Sequence, residues 1–168
     1  FDYQARTFFG LYENEIQSHI KRLVQPGMRC FDLGSCAGYY SLVLAKFCND
    51  QVLAVDGSAE NVERTRQNLA RNDFSVTVIE GWIAATDDED FVSLDRLALD
   101  YFFPDFIKMD IEGAEPFALK GMIKTLAKSP NIVLFLEFHG PWLKRAGVEP
   151  GEFLDQLKID RHSHRVFH

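Results

Sequence analysis

The stretch "MRCFDLGSCAGYYSLVLAKFCNDQVLAVD", residues 28–56, decides the fold. It opens on an apolar strand, "MRCFDLG", and passes through the glycine-bearing loop "DLGSCAG". It continues as a helical segment, "YYSLVLAKFC", and closes on a second strand, "QVLAVD". The second strand is apolar on both faces, as befits a strand of a parallel sheet covered by helices on both sides. The stretch is a βαβ unit.

The alternation continues outward in both directions. Upstream, "YENEIQSHIKRLV" (12–24) places Ile16, Ile20, Leu23 and Val24 on one helical face, and "QPG" at 25–27 ends the helix. Downstream, Ser58 is set to cap the helix "AENVERTRQNLARN" (59–72), and "FSVTVIEG" (74–81) supplies a third strand. Residues 82–104 read as irregular, with an acidic turn, "DDED", and a short helix in "SLDRLALDYF". "DFIKMD" (105–110) is the fourth strand and "AEPFALKGMIKTLAK" (114–128) one helix with Pro116 in its first turn. "NIVLFLEF" (131–138) is the fifth strand, and "PGEFLDQLK" (150–158) a last short helix. Strands alternating with helices predict a doubly wound α/β fold, its sheet mostly parallel with helices on both faces.

Length and composition set the bounds. At 168 residues the chain reads as a single domain, residues 1–168. It divides into a helical lead-in (1–26), a core (27–140), and a C-terminal helix with an incomplete sheet edge (141–168). A net charge of -7 and the lack of any Lys/Arg run argue against nucleic acid as a partner, because clustered cations supply most phosphate binding. The longest apolar run, "NIVLFL", is about a quarter of what a bilayer span needs, so no membrane anchor is expected. Cys30, Cys36 and Cys48 form neither an even disulfide framework nor a CxxC pair, which fits a reducing, cytoplasmic setting. The chain starts at Phe1 without a leader pattern, as at a domain boundary.

In a doubly wound sheet the ligand sits beyond the carboxyl ends of the strands, so the residues just after each strand carry the chemistry. After the first strand, Asp32, Gly34, Ser35 and Gly38 form a DxGxxxG loop that lacks the middle glycine of a dinucleotide fingerprint. Asp32 would oppose a pyrophosphate but attract an ammonium, so loop and charge favour S-adenosylmethionine over NAD. After the second strand, Asp56 is placed to accept the two hydroxyls of a ribose. After the third, Trp82 offers a face for an adenine ring, and Glu80 or the backbone could meet the base edge. The fourth strand ends in Asp110, with Glu112 and Glu115 at the start of the next helix, where acids also suit the helix dipole. After the fifth, Glu137 and His139 lie on one side of the strand, and adjacent fourth and fifth strands would bring Asp110 to them. Two chemistries are open there. His139 could act as general base on an acceptor hydroxyl, or two carboxylates and an imidazole could hold a divalent metal.

"DFIKMDIEGAEPFALKG", together with "FDLGSCAGYYS", "VLAVDGSAENVERTRQNLARN", "VSLDRL" and "LEFHG", resembles the FkbM-type methyltransferases in kind and order. The resemblance covers residues 12–140. It implies the class I methyltransferase (Rossmann-like) fold, S-adenosylmethionine as methyl donor, and O-methylation of a hydroxyl on a small molecule, sugar or polyketide-like acceptor. By matching positions it assigns the cofactor loop to Asp32, Gly34, Ser35 and Gly38, and the ribose acid to Asp56. It puts Asp110, Glu112 and Glu115 on the catalytic side, and "LYENE" brings Glu13 towards the cofactor. Trp82 stands where many class I enzymes carry an acid beside the adenine. That fold normally finishes with two more strands, whereas only "IDRHSHRVFH" follows the last helix, so His162, His164 and His168 read as a tail or edge strand. "DIEG" is neither the Asn/Asp-Pro-Pro-aromatic sequence of exocyclic-amine enzymes nor a Pro-Cys pair, a further argument against nucleic acid. The competing readings are an NAD-dependent oxidoreductase on a Rossmann domain and a non-catalytic S-adenosylmethionine-binding domain.

Overall fold

The apolar runs become strands and the periodic segments helices. A computed structural model describes residues 14–49, 51–137 and 139–159; Glu13 and the histidines at 162, 164 and 168 lie outside the described residues. In chain order the elements are α1 (Asn14–Leu23), β1 (Cys30–Leu33), α2 (Tyr39–Cys48), β2 (Val52–Asp56), α3 (Ala59–Arg71) and β3 (Thr77–Glu80). Then come β4 (Trp82–Ile83), β5 (Phe91–Val92), α4 (Leu94–Asp100), β6 (Phe106–Met109), α5 (Glu115–Lys120) and α6 (Ile123–Lys128). The last are β7 (Val133–Leu136), α7 (Gly140–Arg145) and α8 (Pro150–Ile159). Five strands form one sheet in the order β3-β2-β1-β6-β7, and every pairing is parallel.

Alternation along β1 and β6 sorts side chains between two cores. Phe31, Leu33, Ile107 and Met109 face α4, α5 and α6 through Leu94, Leu97, Ala118 and Met122. Cys30 and Phe106 face α1 and α2 through Ile20, Val24, Tyr40 and Leu44. Burying each such side chain contributes about 1.5–3 kcal/mol. Asp32 and Lys108 are paired in register and fall on the second face, so the polar site is built into the α2 side of the sheet.

Several local features differ from the sequence reading. Residues 114–128 form two helices, because Asp95 of α4 reaches across to cap the second one. Its carboxylate accepts Lys124 N–H at 3.0 Å and Thr125 N–H at 2.7 Å, while Gly121 C=O accepts Asp95 N–H at 2.8 Å. Ser58 holds the N-cap position of α3 but makes no side-chain cap bond. Asp56 accepts the Ser58 N–H instead, at 2.9 Å. Within residues 82–104, β4 and β5 pair in a short parallel ladder. The acidic turn there is tied inward: Asp88 Oδ1 accepts from the N–H groups of Asp90 and Phe91, and Asp87 Oδ1 from that of Ser93. Helix α7, unforeseen, starts at Gly140 with Pro141 in its first turn and buries Leu143. Cys30 and Cys48 are buried free thiols with sulfurs 3.1 Å apart. No helix among the described residues is long and apolar enough to cross a membrane.

Candidate active site

Beyond β1 the chain turns towards β2, while on its other side β1 neighbours β6. That reversal opens a crevice at the carboxyl ends of the strands. A cavity of about 410 Å³ lies there, walled by the loop after β1, the end of β2, Trp82 and the turn after β6. A larger, more open hollow of about 700 Å³ lies at the opposite strand ends. Among the described residues lining it the one carboxylate, Asp105, is paired with Arg29.

The loop after β1 is held by its own backbone. Gly34 has φ +78° and lies so close to the end of β6 that a Cβ would stand 1.8 Å from the Asp110 carbonyl oxygen. The N–H groups of Gly34 and Ser35 both donate to Val55 C=O, at 2.9 and 3.1 Å, and Gly38 N–H donates to Ser35 C=O at 2.7 Å. Cys36 N–H donates to Asp56 Oδ2 at 2.8 Å. Four amides of the loop are thus spent inside the protein rather than gathered into a phosphate cradle. Ser35 lines the cavity, buried, its hydroxyl 3.4 Å from that of Thr65.

Asp56 stands on the cavity wall with three protein donors on its carboxylate: Cys36 N–H on Oδ2, and Ser58 N–H and Asn61 Nδ2 on Oδ1 at 2.9 and 3.1 Å. A carboxylate has about four acceptor positions, so roughly one remains open to a ligand hydroxyl. Beside it the Trp82 indole lies flat on Gly57, where a Cβ would fall 2.1 Å from the ring. Trp82 is 55% exposed and forms a free aromatic wall of the cavity. Glu80 is exposed, lies opposite Asp56 in the ladder, and is not part of the cavity lining.

Asp32 sits beneath the cavity rather than on its wall. It is fully buried, Ser41 Oγ–H donates to its Oδ2 at 2.6 Å, and its Oδ1 has no hydrogen-bond partner. The direct contact with an ammonium expected of Asp32 is therefore not provided by this geometry. Burial pushes its carboxyl above the ordinary 3.8, opposed by the Lys108 ammonium and the Ser41 hydroxyl. Lys108, unforeseen, is the one cation lining the cavity among the described residues. It is 2% exposed, its Nζ 3.2 Å from Asp110 Oδ2 and 4.7 Å from the centre of the Tyr40 ring. A lysine two residues before Asp110 inside a buried strand was the available signal.

The ends of β6 and β7 meet as their pairing dictates. Asp110 N–H donates to Leu33 C=O and Glu137 N–H to Met109 C=O, which fixes both strand ends. His139 Nε2 then lies 3.4 Å from Asp110 Oδ1 and 3.6 Å from Glu137 Oε1. All three side chains are about one-quarter to one-third exposed. Asp110 also lines the cavity, so it joins this cluster to it. Glu112 lines the cavity at the following turn, with φ +52°, and Cys36 in the opposite loop has φ +50°. Left-handed backbone at residues other than Gly, Asn or Asp is uncommon, and both cases border one cavity. Glu115 is buried away from the lining and accepts Ile111 N–H at 3.3 Å, bracing that turn.

Comparison with known proteins gives a match to the family "Methyltransferase FkbM domain" over residues 49–166. A ribosomal protein L11 methyltransferase of Chloroflexus aurantiacus is 40% identical over 68 residues, which are 39% of this chain and 21% of that protein. The match thus spans about a fifth of the length of that curated relative. Among solved structures, precorrin 8w decarboxylase from Methanobacterium thermoautotrophicum superposes with a TM-score of 0.59 at 20% identity, covering 83% of this chain and 70% of that one. A SAM-dependent methyltransferase from Thiobacillus denitrificans, in complex with S-adenosyl-L-homocysteine, gives 0.55 at 16% identity, covering 95% and 70%. At these identities the likenesses are of fold, the class I methyltransferase fold.

Proposed function

Since the chain belongs to the FkbM methyltransferase domain family, we propose that it binds S-adenosylmethionine in the switch-point cavity and methylates a hydroxyl of a small-molecule or carbohydrate acceptor. One observation carries this reading: Asp56 and Asp110 line the same crevice, and Asp110 joins it to Glu137 and His139. The donor set fits the cofactor. Asp56 has an acceptor position for a ribose hydroxyl, Trp82 a face for the base, and Lys108 a charge for a carboxylate. A pyrophosphate would meet a loop whose amides are already bonded and a wall carrying Asp56, Asp110 and Glu112, which argues against NAD.

When bound, S-adenosylmethionine supplies an electrophilic methyl group whose bond to sulfur breaks as the acceptor oxygen bonds to it, the electron pair staying on sulfur to leave a neutral thioether. The protein's part is to hold the acceptor hydroxyl in line beside the Asp110–Glu137–His139 cluster and to promote the loss of its proton there. Calorimetric titration with S-adenosylhomocysteine and with NADH tests the cofactor. Saturable binding of the first alone is expected, and the reverse would sink the assignment. Transfer of labelled methyl to oxygen across a panel of hydroxylated acceptors tests the chemistry; label found only on nitrogen or carbon would refute O-methylation.

A further inference from the structure

The Asp110–Glu137–His139 cluster has the dimensions of a cation site. Charge-assisted bonds between an imidazolium and a carboxylate run at about 2.7–2.9 Å. The distances here, 3.4 and 3.6 Å, are too long for that. Donors at neighbouring corners of an octahedron stand about 3.0 Å apart for bonds of about 2.1 Å and about 3.3–3.7 Å apart for bonds of about 2.3–2.6 Å, so the cluster would close by about half an ångström around a small ion. One imidazole nitrogen and two carboxylate oxygens all lie within 4.8 Å of one another. Asp110 and Glu137 follow directly on two paired strands, and His139 stands at the N-cap of α7, not on the strand itself. Lys108 takes Oδ2 of Asp110 and leaves Oδ1 turned to His139.

From this geometry we propose, on the basis of the methyl-transfer reading above, that Asp110, Glu137 and His139 bind a divalent cation of the Mn²⁺ or Mg²⁺ class, which takes the acceptor oxygen as a ligand. A mixed nitrogen and oxygen donor set suits Mn²⁺ better than the all-oxygen preference of Mg²⁺. Three protein donors leave about three positions of an octahedron open. Partial exposure of each side chain gives solvent and acceptor access to them. Two open neighbouring positions select an acceptor with adjacent oxygens, a vicinal diol or a hydroxyl beside a carbonyl. On the cation the hydroxyl becomes more acidic and gives its proton to solvent; its oxygen pair then forms the new C–O bond. His139 acts as a neutral ligand and not as the base.

The test is Mn²⁺ binding to the full chain, followed by the loss of the free-ion EPR signal and by calorimetry, with S-adenosylhomocysteine titrated into the same samples. One Mn²⁺ per chain is expected, weakened at least tenfold in His139→Ala and in the shape-conserving Glu137→Gln, and unchanged in His19→Ala on α1. Absence of Mn²⁺ uptake at millimolar concentration, or uptake undiminished in both site variants, overturns the proposal. S-adenosylhomocysteine binding that persists while Mn²⁺ fails refutes the cation alone and leaves the methyl-donor reading standing.

Discussion

Replacing Asp56 separates what its carboxylate does for the protein from what it does for a ligand. In Asp56→Ala, three protein N–H groups lose their acceptor, two of them backbone amides that fasten the first loop and the start of α3 to β2. Hydrogen bonds to a charged group contribute about 1.5–3 kcal/mol each, and water reclaims donors at a partly exposed site, so the expected stability loss is about 1–3 kcal/mol in total. The same change removes the acceptor for a ribose hydroxyl, worth about 1.5–3 kcal/mol, or roughly a ten- to hundredfold rise in Kd for S-adenosylhomocysteine. Asp56→Asn narrows the question. Its amide oxygen can keep Ser58 and Asn61, but the amide NH₂ then opposes Cys36 N–H, so the loop clasp breaks while the helix start survives. Denaturant unfolding reads the first effect and calorimetry the second. A folded Asp56→Ala variant whose affinity stays within about twofold of wild type would refute the ribose assignment and leave the residue a fastener only.

Three further outcomes are expected. Because burial raises the Asp32 pKa above 3.8, there is a pH interval above that value in which the folded state keeps a proton that the unfolded chain has lost. The unfolding free energy should therefore fall as pH rises from that value, by up to about 1.4 kcal/mol per unit; Asp32→Asn should flatten this slope in denaturant titrations, and an unchanged slope would exclude Asp32 as its source. Lys108→Met leaves Asp110 and buried Asp32 without their cation and should cost about 3 kcal/mol in chemical denaturation, a loss below about 1 kcal/mol meaning that the lysine is not a structural counter-ion. Gly57→Ala would drive a Cβ into the Trp82 ring, which can swing aside because it is exposed. Both it and Trp82→Ala should weaken S-adenosylhomocysteine several-fold in calorimetry while Glu80→Ala does not, and the opposite ranking would move the base to the Glu80 side.

The parts of the fold legible in the sequence are those written in neighbouring residues. Apolar runs closed by Gly34 and Asp56, and a helical segment between them, are local signals, and strand-end logic then selects Asp110, Glu137 and His139 without knowledge of side-chain positions. Some misreadings come from partners distant in sequence, others from a competing neighbour or from an element too short to show a pattern. Residues 114–128 carry a helical pattern that breaks at Gly121, the C-cap of α5, and Asp95, thirty residues from Thr125, caps the second helix. Ser58 has the chemistry of a cap, but Asp56 two residues earlier takes the amide that this cap would have left to water. Helix α7 is six residues long with one buried apolar side chain, too little for any periodicity to register. In the site, Asp32 reads as a strand-end acid, yet its depth depends on how α2 crosses the sheet, where Ser41 meets it. Lys108, a lone charge inside an apolar strand, was a local signal that pointed to the site.

Asp110 meets three separate partners: its carbonyl oxygen lies against Gly34, Oδ2 is taken by Lys108, and Oδ1 faces His139. Loop, buried ammonium and outer cluster therefore share one residue as a hinge pin, and none can drift in sequence without disturbing the others. Positions 34, 108, 110 and 139 should pass through evolution as a linked block. A loss of activity on changing Asp110 is accordingly a composite of three effects, and a double-mutant cycle between Lys108 and His139 resolves it into its parts.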